Sequence, residues 1–257
     1  MKRIKNYWLN QQPPALSQHY LTTAKYLLFD GTYFHKKGCL ALVIDIEAKR
    51  ILQYQYIQRE SYQAVYPLFL HLKNQGLSPL AITLDGHRMV IRAILEVWPQ
   101  IRVQRCLFHI QNQGMMWIRY RPKTVAGQTL RNLLKTLAPI RSQEDRDCFV
   151  ANYQSWHQTY DQAIRLLPKD SIASKDLRRT VSLINNALPD MFHFIKDQKV
   201  ATTTNYLENF YSQLKHQYRN HRGLSEQHKV HYLKWFCYLK NKLNYQHFLT
   251  FMPRMTI

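Results

Sequence analysis

The chain has 257 residues, 46% of them hydrophobic, and carries 36 Lys+Arg against 16 Asp+Glu for a formal net charge of +20. That length and apolar content support a sizeable core and exclude a disordered tail, and no run reaches the roughly 18 consecutive apolar residues of a membrane span. The charge calls for a polyanionic partner, nucleic acid being the commonest.

The start, MKRIKNYWLNQQPP, is basic but lacks the apolar segment of a secretory signal. Cys39, Cys106, Cys148 and Cys237 are scattered, with no Cys-x-x-Cys pair. A reduced, cytoplasmic protein without a disulfide framework is expected, nucleoid-associated if prokaryotic.

Residues 1–25 read as an irregular lead-in, because Pro13-Pro14 breaks any regular element. A strand is expected over 26–34, a second over 39–46 (CLALVIDI), and a third in ILQYQYI after a short turn at Glu47–Arg50. SYQAVYPLFLHLKNQG has helical spacing, with Ser61 as N-cap and a stop at Gly76. PLAITLDGH is a short buried-strand run, RMVIRAILEVWP a helix ended by Pro99, and IRVQRCLFHI a further strand. The order β-β-β-α-β-α-β describes an α/β protein with a mixed sheet covered by helices. From Gln111 to about Lys196 the periodicity is helical, with segments near 127–138, 143–166 and 174–187, and Ser142 and Asp145 open the middle one as a near capping box. A final helix begins near Asn205.

Two aspartates interrupt apolar runs in the same way, Asp30 in LLFDGTYF and Asp85 in ITLDG. Asp-Gly between apolar residues is a strong hairpin signal. The alternation that puts Leu28, Asp30, Thr32 and Phe34 on one face nevertheless lets the first strand run through the aspartate. In a β-β-β-α-β sheet of this type the first and fourth strands are neighbours, so the two carboxylates can meet. Carboxylates on core strands are costly to desolvate unless a cation neutralises them. A third candidate is Glu208 in TTTNYLENF, where Asn205-x-x-Glu208 is also a capping-box spacing.

These motifs, together with RCLFH, resemble those of the DDE transposases of the Mutator type and related bacterial insertion-sequence enzymes. The resemblance covers roughly residues 26 to 245. It implies an RNase H-like five-stranded mixed sheet flanked by helices and interrupted by an all-helical insertion, which accounts for the 122 residues between Asp85 and Glu208. The expected organisation is a lead-in (1–25), a first part of the core (26–110), a helical insertion (111–197), and a core completion with the glutamate helix and a basic C-terminal region (198–257). Asp30, Asp85 and Glu208 would hold two Mg²⁺ ions, with Mn²⁺ as a substitute, for cleavage and strand transfer of element-end DNA. A nuclease that only hydrolyses and a truncated, non-catalytic DNA-binding derivative are the alternatives.

Cys106 and His109, placed on the strand after the second aspartate, are expected beside the site, as are His87 and Asn205. The Cys-x2-His spacing suits a metal pair, but structural zinc takes four ligands and no second pair lies nearby. Between Asn209 and Ile257 eight Lys/Arg face a single acid, Glu226. Lys215, Arg219, Arg222, Lys229 and Lys234 are therefore the expected DNA contacts. Transposases of this type usually carry an N-terminal DNA-recognition module, and only about 25 residues precede the first strand here. Either this is a truncated or core-only form, or DNA recognition rests on the insertion and the basic C-terminal region; the active protein is expected to be a homo-oligomer with no membrane partner.

Overall fold

The computed structural model describes residues 7–16, 21–34, 38–221 and 223–242. Five strands form one sheet: β1 (Tyr26–Tyr33), β2 (Cys39–Asp45), β3 (Arg50–Ile57), β4 (Ala81–Leu84) and β5 (Arg102–Arg105), in the order β3-β2-β1-β4-β5. The first three pair antiparallel, and β4 and β5 pair parallel. The sheet is thus mixed.

By contacts the chain divides into two compact units, one of residues 1–80, 87–101 and 205–257, the other of residues 81–86 and 102–204.

The first unit is built on β2, whose seven residues are all buried, as a continuous apolar run demands. Helices α1 (Tyr62–Asn74) and α2 (Arg88–Val97) pack on each other. Ser61 caps α1 by accepting from the Ala64 N–H. Phe29, Phe69 and Trp98 form an edge-to-face chain with centroids 5.2 and 5.9 Å apart, and the Trp98 indole donates to Leu77 O at 3.1 Å. The lead-in is less detached than its prolines suggest. Leu9, Leu21 and Ala24 are buried, and Trp235 and His231 bond to backbone carbonyls of residues 8–11. Helix α8 (Asn205–Arg219) lies against β1, and α9 (Glu226–Lys242) against β3.

In the second unit, α3 (Leu107–Ile118), α4 (Val125–Lys135), α5 (Gln143–Leu166), α6 (Ile172–Ala187) and α7 (His193–Lys196) follow β5. The expected capping box forms at Ser142 and Asp145. Trp156 is buried, and its indole donates to Ala126 O and Thr129 Oγ1, so it is a core residue. The fifth strand departs from expectation. It ends at Arg105, and the residues expected to extend it, CLFHI, open α3 instead. Leu107, Ile110, Gly114 and Ile118 are its buried face. Short apolar runs do not distinguish a strand from the first turn of a helix, and burial of that face decided it.

Candidate active site

In the first unit β1 continues straight through Asp30 and Gly31, which register against Leu42 and Ala41. The pair is strand, not turn. Tyr211, buried three residues beyond Glu208 on α8, fixes this stretch: its hydroxyl donates to Asp30 O at 2.6 Å and to Leu40 O at 3.2 Å. Gly31 is there for space. A Cβ on it would lie 2.4 Å from Glu60 Oε1 and 2.7 Å from Cys39 Sγ. The half-buried Glu60 is itself held where the strand turns into α1, its N–H donating to Tyr33 Oη at 3.3 Å.

The charges here are legible in their neighbours. Burial pushes the Cys39 thiol up, and the carboxylates of Glu60 and Asp30 push it further, with Lys215 opposing. Burial also raises the Tyr211 phenol, followed by the charge of Asp30. Asp30 and Glu60 thus share one electronegative corner, with Lys215 of α8 as a nearby cation. Glu208 is half-buried on the first turn of α8, which starts at Asn205 itself. The helical register accordingly begins one residue before the capping-box reading of Asn205.

In the second unit Asp85 directly follows β4 and is half-buried, as is Gly86. His87 stands at the N-cap of α2 without a side-chain cap bond. Gly86 again leaves room, here for Arg105: a Cβ would fall 1.7 Å from Arg105 Nη2. Arg105 ends β5, registers with Leu84 and is only 7% exposed.

Cys106 is not in a strand but is the N-cap of α3, so Cys106 and His109 share one face of its first turn. Both meet Thr204. Its N–H donates to Cys106 Sγ at 3.3 Å, and its hydroxyl lies 3.5 Å from that sulfur and 3.3 Å from His109 Nδ1. Burial pushes the Cys106 thiol up, but the His109 hydrogen bond and charge, together with Thr204, outweigh it and bring it below the ordinary thiol range. The strand ends are tied to the same segment. Thr83 Oγ1 donates to Ala201 O at 2.7 Å, and the Leu107 N–H to Thr202 O at 3.0 Å.

The basic residues expected on DNA differ among themselves. Arg219 is exposed, while Lys215 and Lys234 are half-buried, Lys215 over the Phe34 ring at 5.8 Å and Lys234 bonded to Gln12 at 3.3 Å. Lys229 is 5% exposed, paired with Glu226 at 2.7 Å and lying 5.1 Å over the Tyr56 ring, so its charge is used inside the fold. Arg222 lies outside the described residues. Among the aromatics of this region, Tyr211, Tyr232 and Phe236 are core.

As donors, the three carboxylates are the hard oxygen type that Mg²⁺ takes, and that ion keeps several positions for water and phosphate. Among the described residues, no group of three or more His, Cys, Asp or Glu is placed to hold a metal ion, so the three carboxylates are not brought together as a ligand cluster. Sequence reasoning passed over Glu60, Arg105 and Thr204, and it read Tyr211 only as one of the aromatics interleaved with the basic C-terminal residues. Only Arg105 and Thr204 carried a signal, each lying within a quoted motif.

Against known proteins, the model of a family described as transposase, Mutator family, matches residues 28–234. The chain is also similar to the transposase for insertion sequence element IS905 of Lactococcus lactis subsp. lactis (strain IL1403). The two are 25% identical over 169 residues, a match covering 52% of this chain and 43% of that protein. The chain therefore matches less than half the length of that relative. The family match takes in β1 through most of α9, including both Asp-Gly pairs and the Glu208 helix, and on it the chain belongs to the Mutator family of transposases.

Proposed function

We propose that the chain is the DDE catalytic region of an insertion-sequence transposase with an RNase H-like core, cleaving DNA at the element end and joining it to a target. The observation that carries this reading is that one family match, over 28–234, contains Asp30, Asp85 and Glu208 together. The mixed five-stranded sheet flanked by helices supports it.

In this reading Asp30, Asp85 and Glu208 offer carboxylate oxygens to two divalent cations, Mg²⁺ with Mn²⁺ as substitute. Bound cations supply charge stabilisation at the attacking and leaving oxygens of a phosphoryl transfer. The protein's part is positioning. Tyr211 holds the Asp30 backbone, and Gly31 admits Glu60 alongside. Arg105 lies against Gly86, the residue after Asp85. Cys106 and His109 hold Thr204, the residue before the Glu208 helix. DNA is the partner, and the active form is a homo-oligomer.

The test is cleavage and joining of element-end oligonucleotides in Mg²⁺ or Mn²⁺, comparing wild type with Asp30→Asn and Glu208→Gln. Both variants should fold normally and lose metal-dependent products. Equal activity in variant and wild type would sink the assignment, and cleavage without joined product would favour the purely hydrolytic nuclease.

A further inference from the structure

Between Glu96 and Glu144 there is no acidic residue, while eight Lys/Arg fall in that interval. Its centre is the loop Arg119-Tyr-Arg-Pro-Lys123 between α3 and α4, wholly within the second unit. The loop is basic, and it is also braced. Arg119 closes α3 with a positive φ of 67°. Arg131 of α4 donates from Nη1 to Met115 O at 2.7 Å and to Arg119 O at 2.8 Å, fastening the end of α3. Thr124 caps α4 through the Gly127 N–H, and Gln128 Nε2 bonds Pro122 O at 3.2 Å. Gly127 leaves only enough room for the proline, since a Cβ there would sit 2.9 Å from Pro122 Cβ.

This scaffold holds Tyr120 81% exposed, with the Arg131 guanidinium 5.7 Å from its centroid. Met116, one turn back on α3, is 67% exposed. Arg121 and Lys123 are also exposed, and with Arg119 they line a cleft of about 140 Å³. The acid in that cleft, Asp176, is already neutralised, by Arg119 at 3.2 Å and by Arg179 at 2.7 Å. A braced loop that presents an exposed aromatic ring between the exposed cations Arg121 and Lys123 has the chemistry of a surface that grips phosphates and stacks an unpaired base.

We infer that the loop 119–123 is a DNA-docking surface of the helical region: Arg121 and Lys123 contact backbone phosphates, and Tyr120 stacks on a base exposed where the duplex is opened. The occupant follows from charge complementarity and from the DNA partner that the family implies. The inference is independent of which residues perform the chemistry.

The experiment is fluorescence anisotropy in EDTA, with a fully paired duplex and the same duplex carrying a four-nucleotide gap, across a salt series. The Arg121→Ala/Lys123→Ala pair should weaken binding to both DNAs and lower the slope of log K against log salt by about 2. Tyr120→Ala should weaken only the gapped DNA, by about 5- to 150-fold, and Tyr120→Phe should restore it. All these positions are exposed, so unchanged thermal unfolding is expected and verifies the comparison. Wild-type affinity and slope in the charge variant would overturn the inference, as would equal losses in Tyr120→Ala and Tyr120→Phe. A change in sedimentation with unchanged DNA binding would instead make the loop a contact between copies of the chain. Because EDTA removes the cations, failure here is distinct from failure of the carboxylate reading, which is scored by Mg²⁺-dependent products.

Discussion

In the first unit an Asp-Gly pair lies inside a strand, with Asp30 and Gly31 registered against Leu42 and Ala41. In the second the same pair follows the last residue of β4 and leads toward a helix. The backbones differ, yet both glycines do the same work. A Cβ on Gly31 would meet the Glu60 carboxylate, and a Cβ on Gly86 would meet the Arg105 guanidinium. Each aspartate is thus followed by a gap that a charged side chain fills, negative in one case and positive in the other. Neither glycine has a positive φ. What the dipeptide encodes here is close approach, not a turn.

The comparison is broken most directly through activity. Asp30→Asn and Asp85→Asn should each lower metal-dependent cleavage by at least about 10²–10³-fold, the scale for losing one electrostatic stabiliser of a transition state. A variant with near-normal turnover would show that its Asp-Gly pair serves the fold alone. Next in size is Tyr211→Phe, which leaves the half-buried Asp30 and buried Leu40 carbonyls without this donor. A loss of about 1–3 kcal/mol in denaturant unfolding is expected, with a larger fall in cleavage than the unfolding accounts for.

The glycines come third. Gly31→Ala and Gly86→Ala should each cost about 1–3 kcal/mol through overpacking. Cys39→Ala should return part of the loss in the Gly31→Ala background, since Cys39 is fully buried and cannot move aside. A double-mutant cycle reads that coupling, and strict additivity would mean the contact is relieved elsewhere. The smallest effect separates the two charged neighbours. Glu60→Gln keeps the shape of a half-buried side chain and should shift unfolding by less than about 1 kcal/mol. Arg105→Gln removes a buried cation and should cost more.

Much of the fold was legible from local pattern. The alternation in ILQYQYI, the Ser61 cap and the Ser142–Asp145 box each depend on residues a few positions apart, and each formed where the pattern put it. The end of β5 was not legible, because CLFHI satisfies strand and helix equally until its buried face is known. Nor was the fate of individual charges. Lys229 and Arg219 look alike in sequence, but one is folded against Glu226 and Tyr56 while the other is exposed. The lead-in offered only its prolines, while its anchoring depends on Trp235 and His231 more than 200 residues away.

The sequence by itself determined the element order, the basic character of the chain and the three carboxylates worth testing, because periodicity, composition and motif spacing are properties of the chain. Tertiary structure decided why each glycine follows its aspartate, that Cys106 and His109 open a helix and converge on Thr204, and that Tyr211 fixes the Asp30 backbone. These depend on contacts between residues far apart in the chain, where burial and steric fit select one arrangement among several that the local pattern allows.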